Sequence, residues 1–338
     1  MKLADIGIDL AKNVFQLHGV NANGDCILAK RVRRDSLLPL LQSLAPCRIG
    51  IEACTGAFYW QREFERLGYT VKIIAPQYVK PFVMHQKNDR NDAEAICTAL
   101  RQPNMRFVPT KSEAQQDIQA LHRARQRLVN HRTALVSQIR GLLLDRGFAI
   151  PVSITRFRRL APEIIGDDSN GLSDMARETV ADLFEFLLDI DKRVAVFDRK
   201  IAAVFRANED CQRIGKISGV GPKTATAIIA AIGDGKEFKN GRHLAAWLGL
   251  VPRQRSSGDR RVLMGISKRG DQHLRTLLVH GARAVVRVSA KKDDPFSQWV
   301  NRLRERRGAT KAIVAVANKN ARIIWAMLRN NDEFRAHA

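Results

Sequence analysis

Four carboxylates in the first 92 residues have types and settings suited to hard-metal phosphodiester chemistry. Asp9 closes the apolar run Leu3-Ala-Asp5-Ile-Gly-Ile-Asp9-Leu10, and Glu52 closes a second run, Cys47-Arg-Ile-Gly-Ile-Glu52-Ala53. Asp89 and Asp92 stand three apart at the start of Asp89-Arg-Asn-Asp92-Ala-Glu94-Ala-Ile-Cys97, where a helix would put both on one face. A buried ionised carboxylate is costly unless it is paired or binds metal. Cleavage with paired Mg²⁺ ions, held about 3.5–4 Å apart, needs oxygen ligands from several backbone segments. Two strand-end acids and a helical pair offer that. Asp5 is a rival to Asp9, since residues four apart on a strand face the same way. Taken singly, Asp89 and Asp92 read as acid enrichment at a helix start, and Glu52 as a strand end.

A second candidate lies far along the chain, in Arg253-Gln-Arg255-Ser256-Ser257-Gly258-Asp-Arg260-Arg261. A Ser-Gly pair in a basic segment is by default a solvated turn. It could also be a nucleophile whose attack on phosphorus is helped by arginines facing the developing charge. His243, His273 and His280 have no spacing that marks a triad or a zinc site.

Charge supports a polyanion partner. The 338 residues carry 57 Lys and Arg against 34 Asp and Glu, a net +23. Residues 1–112 hold 16 basic and 10 acidic residues, 113–205 hold 14 and 13, and 206–338 hold 27 and 11. The acid cluster and the basic surface therefore belong to different ends of the chain. A hydrophobic content of 45% is that of an ordinary globular protein. Five cysteines without CxxC or Cys/His spacing read as reduced thiols. With no secretory signal and no membrane span in the sequence, a cytoplasmic location and no membrane partner are expected.

The elements that must position these residues follow from periodicity. Residues 3–10, 13–20 and 26–33 read as three strands with a hairpin turn at Asn21–Asp25, followed by a helix at Ser36–Leu44. A buried strand at 48–53, a helix at Gly56–Leu67 capped by Gly68, and a strand at Tyr69–Ala75 come next. This is the order of a ribonuclease-H-like fold. Leu121, Leu128, Leu135 and Leu142 recur every seven residues, with Ile118, Ala124, Val136 and Ile139 filling the face of one long helix ended by Pro151. Ser173–Ala207 reads as a second long helix, able to pair with the first as an antiparallel hairpin or an oligomerisation arm, and Pro162–Ser173 reads as a loop between them. Gly219-Val-Gly221 opening a helix resembles the hairpin of helix-hairpin-helix modules, in which glycine N–H groups approach a phosphate. Helices are expected at 240–249, 271–288 and 309–329, with a polar basic loop at Pro252–Gly270.

Together, the runs Gly7-Ile-Asp9-Leu-Ala-Lys12, Ile51-Glu52-Ala-Cys-Thr-Gly56, Lys87-Asn-Asp89-Arg-Asn-Asp92-Ala93, Gly219-Val-Gly-Pro-Lys-Thr-Ala225, Trp247-Leu-Gly-Leu-Val-Pro-Arg253, Ser257-Gly258 and Ser267-Lys-Arg-Gly270 resemble, in order and nearly end to end, the DEDD transposases of the insertion-sequence 110 family, eleven-eleven-like subgroup. The resemblance implies an α/β plus all-α chain. Its parts would be a RuvC-like DEDD catalytic domain at 1–112, a helical coiled-coil arm at 113–205, and a mainly helical transposase domain at 206–338 that carries the serine. It implies Asp9, Glu52, Asp89 and Asp92 as ligands of two Mg²⁺ ions. Ser257, aligned on Pro252-Arg253 and Ser-Gly, becomes the serine that forms a covalent link to DNA, while Ser256 departs from the family's usual residue. Gly219, Gly221, Lys223, Thr224, Arg253, Arg255, Arg260, Arg261, Lys268 and Arg269 are then the expected nucleic-acid contacts. Donor and target DNA, a bridge-type guide RNA encoded by the element, and a homo-oligomer (dimer or tetramer) are the expected partners. The rival readings are a metal-dependent Holliday-junction-type nuclease in which Ser257 is a loop residue, and a non-catalytic nucleic-acid-binding scaffold. The presence of all four acids speaks against the scaffold.

Overall fold

The computed structural model describes residues 2–84, 88–257 and 260–334. The chain divides into two compact units, Met1–Lys111 and Ser112–Ala338.

The first unit is built on a five-stranded sheet. Its elements run β1 Asp5–Asp9, β2 Val14–Val20, β3 Cys26–Arg33, α1 Arg34–Gln42, β4 Arg48–Glu52, α2 Ala57–Arg66, β5 Thr70–Ile74, a short α3 Pro76–Val79, and α4 Asp89–Leu100. The spatial order is β3-β2-β1-β4-β5, with β1–β3 antiparallel and β4 and β5 parallel to β1. The Asn21–Asp25 turn forms as expected: the Asn21 carboxamide oxygen accepts from Gly24 N and Asp25 N, and Gly24 takes φ +101°.

The two central strands share one pattern, Asp-Ile-Gly-Ile-Asp in β1 and Arg-Ile-Gly-Ile-Glu in β4. Because strand side chains alternate between faces, the four isoleucines point one way. They bury completely with Phe15, Leu17 and the α1 and α2 residues Leu37, Leu41, Trp60 and Phe64. Each such isoleucine contributes about 1.5–3 kcal/mol relative to an exposed one. The glycines and charged residues face the other way, under α4.

The second unit is helical apart from one hairpin. α5 Glu113–Leu144, α6 Ile154–Gly166 and α7 Asp174–Ala207 are followed by α8 Glu209–Gly215, α9 Pro222–Ile232 and α10 Gly241–Trp247. Strands β6 Pro252–Ser257 and β7 Arg260–Ile266 precede α11 Gln272–Val288, α12 Pro295–Arg307 and α13 Ala309–Asn330. α5 and α7 pair antiparallel within the chain: Arg125 bonds Asp198 at 2.6 Å and Arg132 bonds Asp191 at 3.3 Å, seven residues up one helix and seven down the other.

The evenly spaced leucines of α5 do not form one uniform seam. Leu135, Val136, Ile139 and Leu143 bury against Phe157 and Ala161 of α6 and Leu187, Ile190 and Val194 of α7. Further toward the N-terminus, α5 turns to α9 instead, where Gln115 donates to Ile229 O and His122 meets the Thr226 hydroxyl at 2.9 Å.

Two expected loops prove to be partly structured. Pro162 lies inside α6 rather than opening a loop, because the apolar face of Phe157, Ala161, Ile164 and Ile165 carries the helix through to Gly166. The segment expected as a loop at Pro252–Gly270 contains the β6–β7 hairpin. All six side chains of β6 are exposed, so Pro-Arg-Gln-Arg-Ser-Ser offers no apolar alternation by which to read a strand. α8 and α12 are additional to the expected helices. Among the described residues no helix is long and apolar enough to cross a membrane. The five cysteines are free, with Cys97 and Cys211 buried.

Candidate active site

Asp9 and Glu52 end two adjacent parallel strands, whose last paired residues are Ile8 and Ile51. α4 approaches the sheet closely because β1 and β4 carry glycine, Gly7 and Gly50, at the positions it crosses. A Cβ on Gly7 would sit 2.2 Å from Ala93 O and 2.5 Å from Cys97 N, and one on Gly50 would meet Leu100 and Ile96 at 3.2–3.3 Å. The helix direction is set by its far end: the Cys97 thiol reaches Asp5 O, and Arg101 lies 3.7 Å from the Asp5 carboxylate. Toward its start, α4 therefore runs to the Asp9 end of β1. There Asn88 caps it by accepting from Asn91 N, and Asp89 and Asp92 occupy the first turn. Lys87, which begins this motif, lies outside the described residues. The Cys54 thiol reports the same convergence. It is pushed up by burial first, then by Glu52, then by Asp9.

Asp5 is set apart from these four. It is buried at the opposite end of β1, bonds Arg48 Nε at 2.7 Å, and is flanked by Arg101. Its charge is compensated inside the fold, which leaves Asp9 as the β1 acid at the open end.

The four acids are all hard oxygen donors, the set that Mg²⁺ prefers. Among the described residues, no three His, Cys, Asp or Glu side chains gather closely enough to hold a metal ion. The donor chemistry fits a divalent cation at this end of the sheet, without a preformed cage.

In the second unit, Ser257 ends β6 directly opposite Arg260, while Ser256 pairs with Arg261. Alternation puts Ser257 on the face of Arg255 and Ser256 on the face of Gln254. The Gln254 amide donates to the Ser256 hydroxyl at 2.9 Å, so the two serines have different surroundings. Gly258 and the Arg261 side chain lie outside the described residues.

The hairpin base is fixed by interlocked backbones. Cβ atoms on Gly249 and Gly270 would lie 2.2 Å from Arg269 O and 1.8 Å from Trp247 O, and both glycines have positive φ. Lys268 takes the left-handed region at φ +55°, while Ser267 N and Lys268 N donate to Val251 O and Gly249 O. The two glycine-containing runs read from the sequence thus clamp each other and aim the hairpin.

The expected phosphate-binding turn is less open than its sequence implies. Thr224, in the first turn of α9, is buried. Lys223 bonds the Asp198 carboxylate at 2.9 Å. Gly219 serves packing, since a Cβ there would strike Gly281 O of α11 at 2.9 Å. Gly221 stays exposed, with nothing near its Cβ position. Conversely, Arg242, Arg307, Lys311 and Arg322 line one large groove although they come from three helices. No spacing marks them; only the C-terminal charge excess points to them.

His122 and His273 stack edge to face at 5.6 Å between α5, α9 and α11. Burial pushes His122 down to about 4, with His273, Arg125 and Lys223 adding to the shift. The pair reads as a neutral interior contact.

Comparison with known proteins gives two family matches. Residues 6–148 match a transposase family of the DEDD type, and residues 211–297 match the transposase IS116/IS110/IS902 family. A probable family 20 transposase of Pseudomonas aeruginosa is 45% identical over 99% of this chain and 99% of its own length. The transposase for insertion sequence element IS1111A of Coxiella burnetii is 45% identical over 98% of this chain and 92% of its own. The transposase for insertion sequence element IS1328 of Yersinia enterocolitica is 37% identical, covering 97% and 98%.

Proposed function

Since the chain belongs to the IS110 family of insertion-sequence transposases, we propose that it cuts and rejoins DNA through a covalent link to Ser257. Transposases act on DNA, and this enzyme is read as one that makes and reseals phosphodiester bonds. The Ser257 Oγ attacks phosphorus, an O–P bond to the serine forms, and the bond to the leaving deoxyribose oxygen breaks as that oxygen takes up a proton. A hydroxyl of another strand reverses the step and frees the serine. Arg255, on the serine's own strand face, and Arg260, directly across the hairpin, are placed to donate to the phosphate oxygens as charge builds.

Asp9, Glu52, Asp89 and Asp92 would hold the metal. When bound, Mg²⁺ would polarise the scissile phosphate and ease deprotonation of the attacking hydroxyl. The strand order β3-β2-β1-β4-β5 supports a ribonuclease-H-like, RuvC-like fold for the first unit. We read the chain as a catalytic domain at 1–112, an arm at 113–205 and a serine-bearing domain at 206–338. The α8–α9 turn, through Gly221, is assigned a helix-hairpin-helix-like role at a phosphate. A structured guide RNA of the element and self-association of the chain belong to the same proposal.

The observation that carries it is the convergence of Asp9, Glu52 and the first turn of α4 at one end of the sheet, under glycines that admit no side chain.

The test incubates protein, Mg²⁺, guide RNA and labelled DNA, then resolves the products on a denaturing gel. A slow protein–DNA adduct is expected, lost in Ser257→Ala. Cleavage without any adduct would favour the metal-only nuclease. Full cleavage by Asp9→Asn would remove the carboxylates from the reaction.

A further inference from the structure

The second unit holds a groove of about 1740 Å³ between the β6–β7 hairpin and α13, closed at its sides by α10 and α12. Seven of its lining residues are Arg or Lys and none is Asp or Glu. Some cations elsewhere in this unit are paired with carboxylates, as in Lys223–Asp198 and Arg125–Asp198. Among the described residues no groove cation forms an ion pair with a carboxylate. Self-repulsion among so many uncompensated cations makes the empty groove electrostatically unfavourable, and a polyanion relieves it.

The lining is also apolar, which narrows the occupant. Leu263, 69% exposed on β7, forms part of one wall, and Val314 and Ile323 of α13 line the groove as well. Trp299 lies beside them, stacked on Phe296 and covered by the Lys319 ammonium at 4.4 Å. A duplex presents phosphates and keeps its base faces stacked inside, so it has nothing to offer apolar walls. A single strand offers both: a charged backbone for the rims and unstacked base faces for an apolar, aromatic lining. Position says which strand. Pro252 and Arg253 line the groove at the start of β6, and Ser257 ends the same strand, about 13 Å further along at 3.3 Å per residue.

We propose that this groove binds a single-stranded segment of the DNA being cut and leads it along β6 to Ser257. Arg253, Arg307, Lys311 and Arg322 hold its backbone, and Leu263, Val314 and Ile323 receive its bases. This rests on the assignment of Ser257 as nucleophile only for the direction of the strand; the groove's chemistry stands on its own residues.

The test measures fluorescence anisotropy of a labelled 12-nucleotide single-stranded DNA with the full chain, in chelator so that no cleavage intervenes. Lys311→Glu with Arg322→Glu should weaken binding by about ten-fold or more and flatten its salt dependence by about two counterions. The milder pair Lys311→Gln with Arg322→Gln should move affinity in the same direction, and thermal melting confirms that both proteins fold. Arg193→Glu with Arg199→Glu, an equal charge change on exposed positions of α7, should shift affinity less than about two-fold. Equal losses in the α7 and groove variants would overturn the proposal. So would duplex DNA bound as tightly as the single strand, or single-stranded RNA bound in clear preference to DNA. Failure of the serine assignment shows differently. Ser257→Ala should bind the strand normally; if adducts persist in that variant while the groove variants lose binding, the serine falls and the groove stands.

Discussion

Two aspartates on one short strand are assigned different jobs in the proposed reaction, and substitution should separate them. Asp5 is 2% exposed and compensated by Arg48 and Arg101. Asp5→Ala should cost about 1.5–3 kcal/mol by removing the charged hydrogen bond to half-exposed Arg48 and the contact with Arg101, seen as a fall in Tm. Asp9 lies at the open end of the same strand, so Asp9→Asn should abolish cleavage with a smaller fall in Tm than Asp5→Ala. A similar fall in Tm for both would mean that Asp9 is structural. The His122–His273 contact makes a pH prediction. The folded state holds His122 at about 4, below its ordinary 6.5, so the unfolded chain binds more protons between those values. Stability should therefore fall as pH drops from about 6.5 to 4, by about 3 kcal/mol, and level off below that. His122→Leu should flatten the slope in a denaturant titration series. Sequence reading could rank Asp5 and Asp9 only through resemblance, because the partner arginines of Asp5 come from β4 and the residue after α4, 43 and 96 residues away along the chain.

At the scale of elements, glycines decide where functional groups lie. Gly7→Ala would put a methyl 2.2 Å from Ala93 O, forcing α4 and its Asp89–Asp92 turn away from the strand ends. We expect it to cost about 1–3 kcal/mol or more through overpacking, and to lose cleavage beyond what the stability change explains. Cleavage at the wild-type rate by the folded variant would contradict the positioning role of the α4 approach. Gly270→Ala should act on the other element. It would push the hairpin base off Trp247 O and reduce adduct yield by more than it weakens single-strand binding. Much of this was legible in advance. The alternation of Asp-Ile-Gly-Ile-Asp and Arg-Ile-Gly-Ile-Glu, the Asn21–Asp25 turn and the long helices all follow from local pattern. What escaped depends on tertiary context. Pro162 continues a helix because Phe157 and Ala161 are buried around it, and β6 is a strand whose side chains all face solvent. Thr224 reads as a phosphate contact from motif spacing, which does not show that it is buried.

For the whole molecule, the division of charge parallels the division of labour proposed above. Residues 1–112 carry the metal-ligand candidates and a small net charge, whereas 206–338 hold 27 basic against 11 acidic residues and the serine. DNA binding should consequently fall steeply as salt rises, through release of condensed counterions, and a shallow dependence would contradict a backbone-binding role for the basic part. The central claim is chemical, that Ser257 becomes covalently joined to DNA. Its most direct measurement is mass spectrometry of the trypsin-digested adduct, in which cleavage after Arg255 and Arg260 isolates the peptide Ser256–Arg260. The account predicts that this peptide carries the nucleotide phosphate, with fragmentation placing it on Ser257. Modification of Ser256, of a residue elsewhere, or cleaved DNA with no modified peptide at all would contradict it.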